Sequence, residues 1–208
     1  MARTVGPLMS VDASGSFGKS MVFSKWKGRN YVRQLVTPTN YRYPAQTGVR
    51  SMMKFLAQYW ASISAPNQAT WEAAAETNQI SAFNQYVKEN LQRHQVNSSP
   101  TKESPAAEAS AGLTVSAHTY TGFAGYATLS MTPSAATAIW GFQIYRQTAA
   151  ITLPTWANTV AVIEANGANA VIYTDSPLEP ATYHYRIRVI NIDGKAGTIL
   201  ADDTAIVT

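Results

Sequence analysis

Gly15-Ser16-Phe17-Gly18-Lys19-Ser20 ends in the Gly-Lys-Ser of a phosphate-binding loop, in which backbone N–H groups cradle phosphate, the lysine reaches it and the hydroxyl holds magnesium. That loop needs a glycine five residues before Gly18, where this chain has Ala13, and no buried hydrophobic strand leads into it. The glycines read instead as points where an arm or strand edge approaches a neighbour closely. His94, His118 and His184 are scattered, with no second histidine or carboxylate at metal-ligand spacing, and Asp202-Asp203 reads as a solvated turn or edge charge rather than a calcium site. His184 lies between two tyrosines expected to point inward, so it should point to solvent. Serines and threonines are plentiful, but there is no Gly-x-Ser-x-Gly elbow, no cysteine and few carboxylates. The sequence therefore predicts no catalytic residue, no cofactor and no metal, and a protein that is not an enzyme.

The side chains that do gather are cationic. Lys25, Lys27, Arg29 and Arg33 surround Gly28, with Trp26 and Tyr31 between them, and these six are the expected partner-binding residues. An acidic protein surface suits them, and so do the phosphates and bases of nucleic acid. Nucleic acid is the less favoured partner, because no helix–turn–helix with a basic recognition helix follows. The third candidate helix offers only Lys88 and Arg93, with Glu89 between them. The formal net charge of +4 hides an asymmetry: residues 1–104 hold 12 Lys and Arg against 5 Asp and Glu, and residues 105–208 hold 4 against 7. The first 54 residues alone hold 9 basic side chains and 1 acidic, a field that steers this end toward acidic partners.

These residues need elements to position them. Lys19–Lys27 and Asn30–Val36 flank Gly28-Arg29 and predict a hairpin, preceded by an arm over 1–18 that is rich in Gly and Ser and has no core of its own. Val49, Met52, Met53, Leu56, Trp60 and Ile63 then follow helical spacing. Ser64-Ala-Pro66 caps a second helix through Trp71, and Ser81 caps a third with Phe83, Val87 and Leu91 on one face. The Met52–Trp60 stripe is expected to be core, with Trp60 a structural residue. Residues 97–112 contain nothing more apolar than alanine or proline and read as a linker. The expected organisation is an arm over 1–18, a hairpin-plus-helices anchoring domain over 19–96, the linker, and a second domain over 113–208.

No cysteine means no disulfide, zinc ribbon or iron–sulfur ligation, which suits assembly in a cytoplasm. No window reaches the roughly 18 consecutive apolar residues of a membrane span, and no signal-like run opens the chain, so no membrane partner is expected.

In the second domain, Tyr183, Tyr185, Ile187 and Val189 alternate with His184, Arg186 and Arg188, the period of a half-buried strand. Leu178-Glu-Pro-Ala-Thr-Tyr183 introduces it, and Asn191 to Gly194 ends it. Trp140, Phe142 and Ile144 alternate likewise, as does Tyr126 to Met131 before Pro133. Over 113–208 this pattern resembles a fibronectin type III or immunoglobulin-like module. The resemblance implies an all-β sandwich in which Leu178, Tyr183 and Trp140 are structural and the Tyr183 hydroxyl bonds back to the preceding corner. The fold class expected for the whole chain is thus an α+β unit of hairpin and short helices followed by that sandwich.

The run Gly18-Lys19 to Arg33, followed by Thr37-Pro38-Thr-Asn40, Ala45-Gln46, Val49-Arg50, Trp60 and Trp71, resembles a family of small virion proteins of tailed bacteriophages and prophages. Tyr41 stands where that family has a second proline. The resemblance implies a phage structural protein assembled in the host cytoplasm, bound to other virion proteins by its basic end and displaying the sandwich. Head decoration is the expected role, with a neck, tail or fibre-attachment protein and an intracellular nucleic-acid-binding accessory as alternatives. A host-surface glycan is a further partner, with the loops Gly122–Gly125 and Leu153–Asn158, including Trp156, as the place to look.

Overall fold

The computed structural model describes residues 2–3, 14–18, 20–37, 43–106, 113–135, 139–165, 167, 169–191 and 196–208. The chain divides into two compact units, Met1–Tyr41 and Arg42–Thr208.

In the first unit the alternating segments around Gly28 form β3 (Met21–Trp26) and β4 (Arg29–Gln34), paired in full register from Met21 opposite Gln34 to Trp26 opposite Arg29. The two-residue turn has positive φ at both Lys27 (48°) and Gly28 (75°), which matches the right-handed twist of the strands it joins. Segments of the expected arm join this sheet: β1 (Ala2–Arg3) pairs with β4, and β2 (Gly15–Phe17) pairs with β3, giving the order β1-β4-β3-β2. Residues 4–13 of that arm lie outside the described residues. Pairing is favourable here because a bare hairpin leaves two unpaired edges and is marginal in water.

The second unit opens with α1 (Pro44–Trp60), α2 (Ala65–Asn78) and α3 (Ala82–Gln95). Ser81 caps α3, its Oγ accepting from Asn84 N at 3.2 Å, whereas Ser64 precedes α2 without a side-chain cap bond. The apolar stripe of α1 is rotated from the expected one. Met53 is exposed and Phe55 is buried, because the helix packs on two sides: Met52 and Leu56 share a core with Tyr86 of α3, while Phe55 and Tyr59 meet Trp140 at ring separations of 5.2 and 4.9 Å. Trp60 packs against Phe83 and Tyr86.

The strands that follow build two sheets. One holds β5 (Val115–Phe123), β6 (Tyr126–Pro133) and β9 (Val171–Asp175), in the order β5-β6-β9. The other runs β11-β10-β7-β8 through β7 (Ile139–Gln147), β8 (Thr159–Glu164), β10 (Ala181–Asn191) and β11 (Ala196–Ile199), with β12 (Asp203–Val207) also paired to β10. Their inner faces meet in one core containing Leu129, Met131, Phe142, Ile144, Tyr185, Ile187 and Val189, so this part is a β-sandwich. Arg146 of one sheet reaches Asp175 of the other at 2.7 Å, and Tyr185 Oη donates to the same carboxylate at 2.9 Å.

Two expectations are corrected. The helices do not form a domain apart from the sandwich: together with Trp140, Val162 and Ile190 they make a second core on the outer face of the β8-β7-β10 sheet. Residues 97–106 of the expected linker are part of this packing, with Ser99 and Thr101 buried. Trp71 Nε1 donates to Lys102 O at 2.8 Å, and Asn90 accepts from Thr101 N at 2.6 Å and donates to Thr101 O at 3.0 Å. Polar composition suggested solvation there, but backbone hydrogen bonds to helix side chains satisfy the segment inside the fold. Residues 107–112 lie outside the described residues.

Trp140 is the second correction. Ile190 stands opposite Gly141 and Asn191 opposite Ile139, so β7 carries an extra residue at Trp140. That bulge breaks the alternation and turns the indole away from Phe142 and Ile144 toward the helices. Leu178 and Tyr183 line the sandwich core, and Tyr183 Oη donates to Glu179 O at 3.1 Å, closing the corner before β10. No helix among the described residues is long and apolar enough to cross a membrane.

Candidate interaction surface

The paired register of β3 and β4 sorts the basic residues by face, since cross-strand partners share a side and neighbours along a strand alternate. Trp26 stands opposite Arg29, Ser24 opposite Tyr31 and Val22 opposite Arg33, so Trp26, Arg29, Tyr31 and Arg33 lie on one face. Lys25 pairs with Asn30 on the other face, and Lys27 sits in the turn with its Nζ 4.9 Å from the centre of the Trp26 ring. The expected cluster is thus split: four of its members converge and the two lysines flank them. Trp26 is 66% exposed, and Lys25, Lys27, Arg29 and Arg33 are exposed beside it.

The opposite face, beyond Lys25 and Asn30, carries an apolar cluster. Phe17 pairs with Met21, and Phe23 pairs with Val32, placing all four side chains together; Phe17 remains 59% exposed and Met21 40%. Among the described residues of this unit nothing forms a second layer on the sheet, and large apolar side chains are exposed, a free-energy cost that a partner would remove. Aromatic and arginine side chains are also those most enriched where protein interfaces carry their energy.

The phosphate-loop motif is not a phosphate loop. Gly15–Phe17 is a strand, Gly18 (φ 57°) turns the chain, Ser20 Oγ donates to Phe17 O at 3.3 Å, and a strand rather than a helix follows. Lys19 lies outside the described residues.

The histidines occupy three environments. His118 lies beside Tyr120 at 5.3 Å. His184 does not merely face solvent: its Nδ1 is 2.6 Å from Asp202 Oδ2, while Asp202 Oδ1 accepts from Ile151 N at 3.2 Å. Eighteen residues of separation hid that pair from spacing arguments. His94, in the last turn of α3, is fully buried with Nδ1 3.4 Å from Gln143 Nε2, and burial first, then the Arg188 guanidinium, lowers its pKa to about 4. Arg188, itself buried, donates to the Asn97 carbonyl at 2.5 Å and to Asn97 Oδ1 at 3.2 Å, and Tyr145 Oη donates to the same Oδ1 at 3.0 Å. No group of three or more His, Cys, Asp or Glu side chains among the described residues converges as a metal site. Trp156, expected in a loop, lies half-buried in a 3-10 turn, Trp156–Asn158.

No protein-family model matches the chain, and no curated protein sequence matches it. Among solved structures, a beta-1,2-glucanase from Parabacteroides distasonis is similar over 47% of this chain and 14% of its own length, at 17% identity and a TM-score of 0.34. An Fn3-like protein from Clostridium thermocellum is similar over 46% of this chain and 96% of its own, at 17% identity and a TM-score of 0.32. The sulfur carrier protein SoxY from Chlorobium limicola f thiosulfatophilum is similar over 58% and 96%, at 13% identity and a TM-score of 0.29. The chain spans only 14% of the length of the glucanase, and likenesses at these scores assign no activity.

Proposed function

We propose that the chain is a non-enzymatic structural protein of a tailed-phage particle, bound to other virion proteins through the sheet of its first unit and displaying the second unit. The observation that supports this reading most is the two-faced sheet, with Trp26, Arg29, Tyr31 and Arg33 on one side and Phe17, Met21, Phe23 and Val32 on the other. Such a sheet can dock on a neighbour by apolar burial on one face and by charge on the other. The helices, expected from sequence to help anchor, are committed to the sandwich, so in this proposal the sheet anchors without them. Head decoration is the role we favour, with assembly in the host cytoplasm. We also infer that the sandwich is of the fibronectin type III kind, on the strand orders β5-β6-β9 and β8-β7-β10 and the Tyr183 corner.

Quantitative mass spectrometry of purified particles tests the assignment. Hundreds of copies per particle support head decoration, a few dozen or fewer place the protein at the neck or tail, and absence from particles overturns the structural reading in favour of an intracellular role.

A further inference from the structure

The helices cover one outer face of the sandwich, and the outer face of the β5-β6-β9 sheet is built from different chemistry. Ala127, Leu129 and Met131 of β6 point into the core, so Tyr126, Thr128 and Ser130 point out. The register then sets Thr121, Thr128 and Thr174 in one row across the three strands, and Thr119, Ser130 and Ile172 in the next. At the end of the face Phe123 pairs with Tyr126, their rings stacked at 4.8 Å and 13°, and each is more than a third exposed. No outward position of these strands carries a charge. None of the hydroxyls of Thr119, Thr121, Thr128, Ser130 or Thr174 makes a hydrogen bond within the described residues, although Ser116, at the start of the same strand, bonds back to Thr132 O.

We propose that this face binds an uncharged polysaccharide. Each free hydroxyl can donate one hydrogen bond and accept two, and adjacent strands hold them about 4.8 Å apart in rows, a fixed grid of donors and acceptors. Sugar hydroxyls are the complementary ligand, and the stacked Phe123–Tyr126 pair supplies a flat apolar step for the C–H face of a sugar ring. The lack of charge excludes the electrostatic attraction that nucleic acids and acidic chains need. A second protein surface fits less well, because protein interfaces are depleted in serine at their centres and concentrate aromatic side chains there, whereas here the aromatics lie at one end.

The test is retention of the intact purified chain on insoluble neutral polysaccharides (cellulose, chitin, a β-1,3-glucan and mannan) in low salt and in 1 M NaCl. Because no particle is involved, its outcome is independent of the virion assignment. The expected result is retention on at least one polymer that high salt does not weaken, falling tenfold or more in Phe123→Ala/Tyr126→Ala and in Thr121→Glu/Thr128→Glu. Both variants should melt as the parent does, and Lys25→Ala/Arg29→Ala should bind as the parent does. No retention on any polymer, retention abolished by salt, or variants that fold and bind normally would overturn the proposal. Self-association that Thr121→Glu/Thr128→Glu abolishes, without polysaccharide retention, would instead make the face a contact between copies.

Discussion

Ser51 and Val162 are hydrogen-bonded twice: Ser51 Oγ donates to Val162 O at 3.0 Å and accepts from Val162 N at 2.7 Å. A helix side chain thereby does for β8 what a neighbouring strand would do, satisfying both backbone groups at a sheet edge. Tyr59 Oη adds a bond to Trp140 O at 3.0 Å from the same helix. Ser51→Ala is expected to cost about 1–3 kcal/mol, because it leaves a backbone donor and acceptor short of partners. Denaturant unfolding with an unchanged m-value checks it.

Gly48 of α1 lies directly against Thr159, the first residue of β8. A Cβ there would fall 2.4 Å from Thr159 O and 2.8 Å from Thr159 Cβ. In an open helix Gly→Ala stabilises by about 1 kcal/mol. Here the helix would have to lift from the sheet, so Gly48→Ala is expected to lower stability by about 1–3 kcal/mol. A higher melting temperature in that variant would contradict the close approach.

The boundary between units is testable by truncation. A chain beginning at Arg42 should fold with the thermal stability of the second unit in the full protein, because its two cores lie within residues 42–208. A chain beginning at 113 should be poorly stable, since Trp140, Val162 and Ile190 would lose the helices that bury them. Equal stability of both would restore the expected division at 97–112.

His94 makes stability depend on pH. Its folded pKa of about 4 lies below the ordinary 6.5, so the unfolded chain takes up the proton first. The contribution is therefore complete above pH 6.5 and is lost as pH falls toward 4, amounting to about 3 kcal/mol over that interval. His94→Gln should flatten the stability profile between those limits, measured by urea unfolding across pH.

The basic residues are expected to act in docking and not in folding. Lys25, Lys27, Arg29 and Arg33, all exposed, when replaced together by Ala should reduce incorporation into particles while leaving the melting of the second unit unchanged. Undiminished incorporation would sink their assignment.

Local pattern was enough to place the hairpin at Gly28, the three helices and the long strand Ala181–Asn191 with its inward tyrosines, whereas the corner in which Tyr183 reaches Glu179 was expected only from the resemblance to fibronectin-type modules. Hairpin, helices and strand depend on period, caps and turn residues within a short stretch of chain. The six candidate contact residues were legible as a cluster, but their division between two faces required the register of β3 against β4.

Long-range geometry decided the rest. Residues 97–106 look like a linker because their side chains are polar, yet Asn90, Trp71 and Thr70 bond to them from helices earlier in the chain. Trp140 shares its alternation with Phe142 and Ile144, and one extra residue in β7 sends it to the opposite core. His184 and Asp202, and likewise Ser51 and Val162, meet only because strands and helices from distant parts of the sequence are stacked in layers. Hydrophobic periodicity determines which face of an element is buried, but which partner buries it, and which polar atoms pair across that contact, is settled when the elements pack.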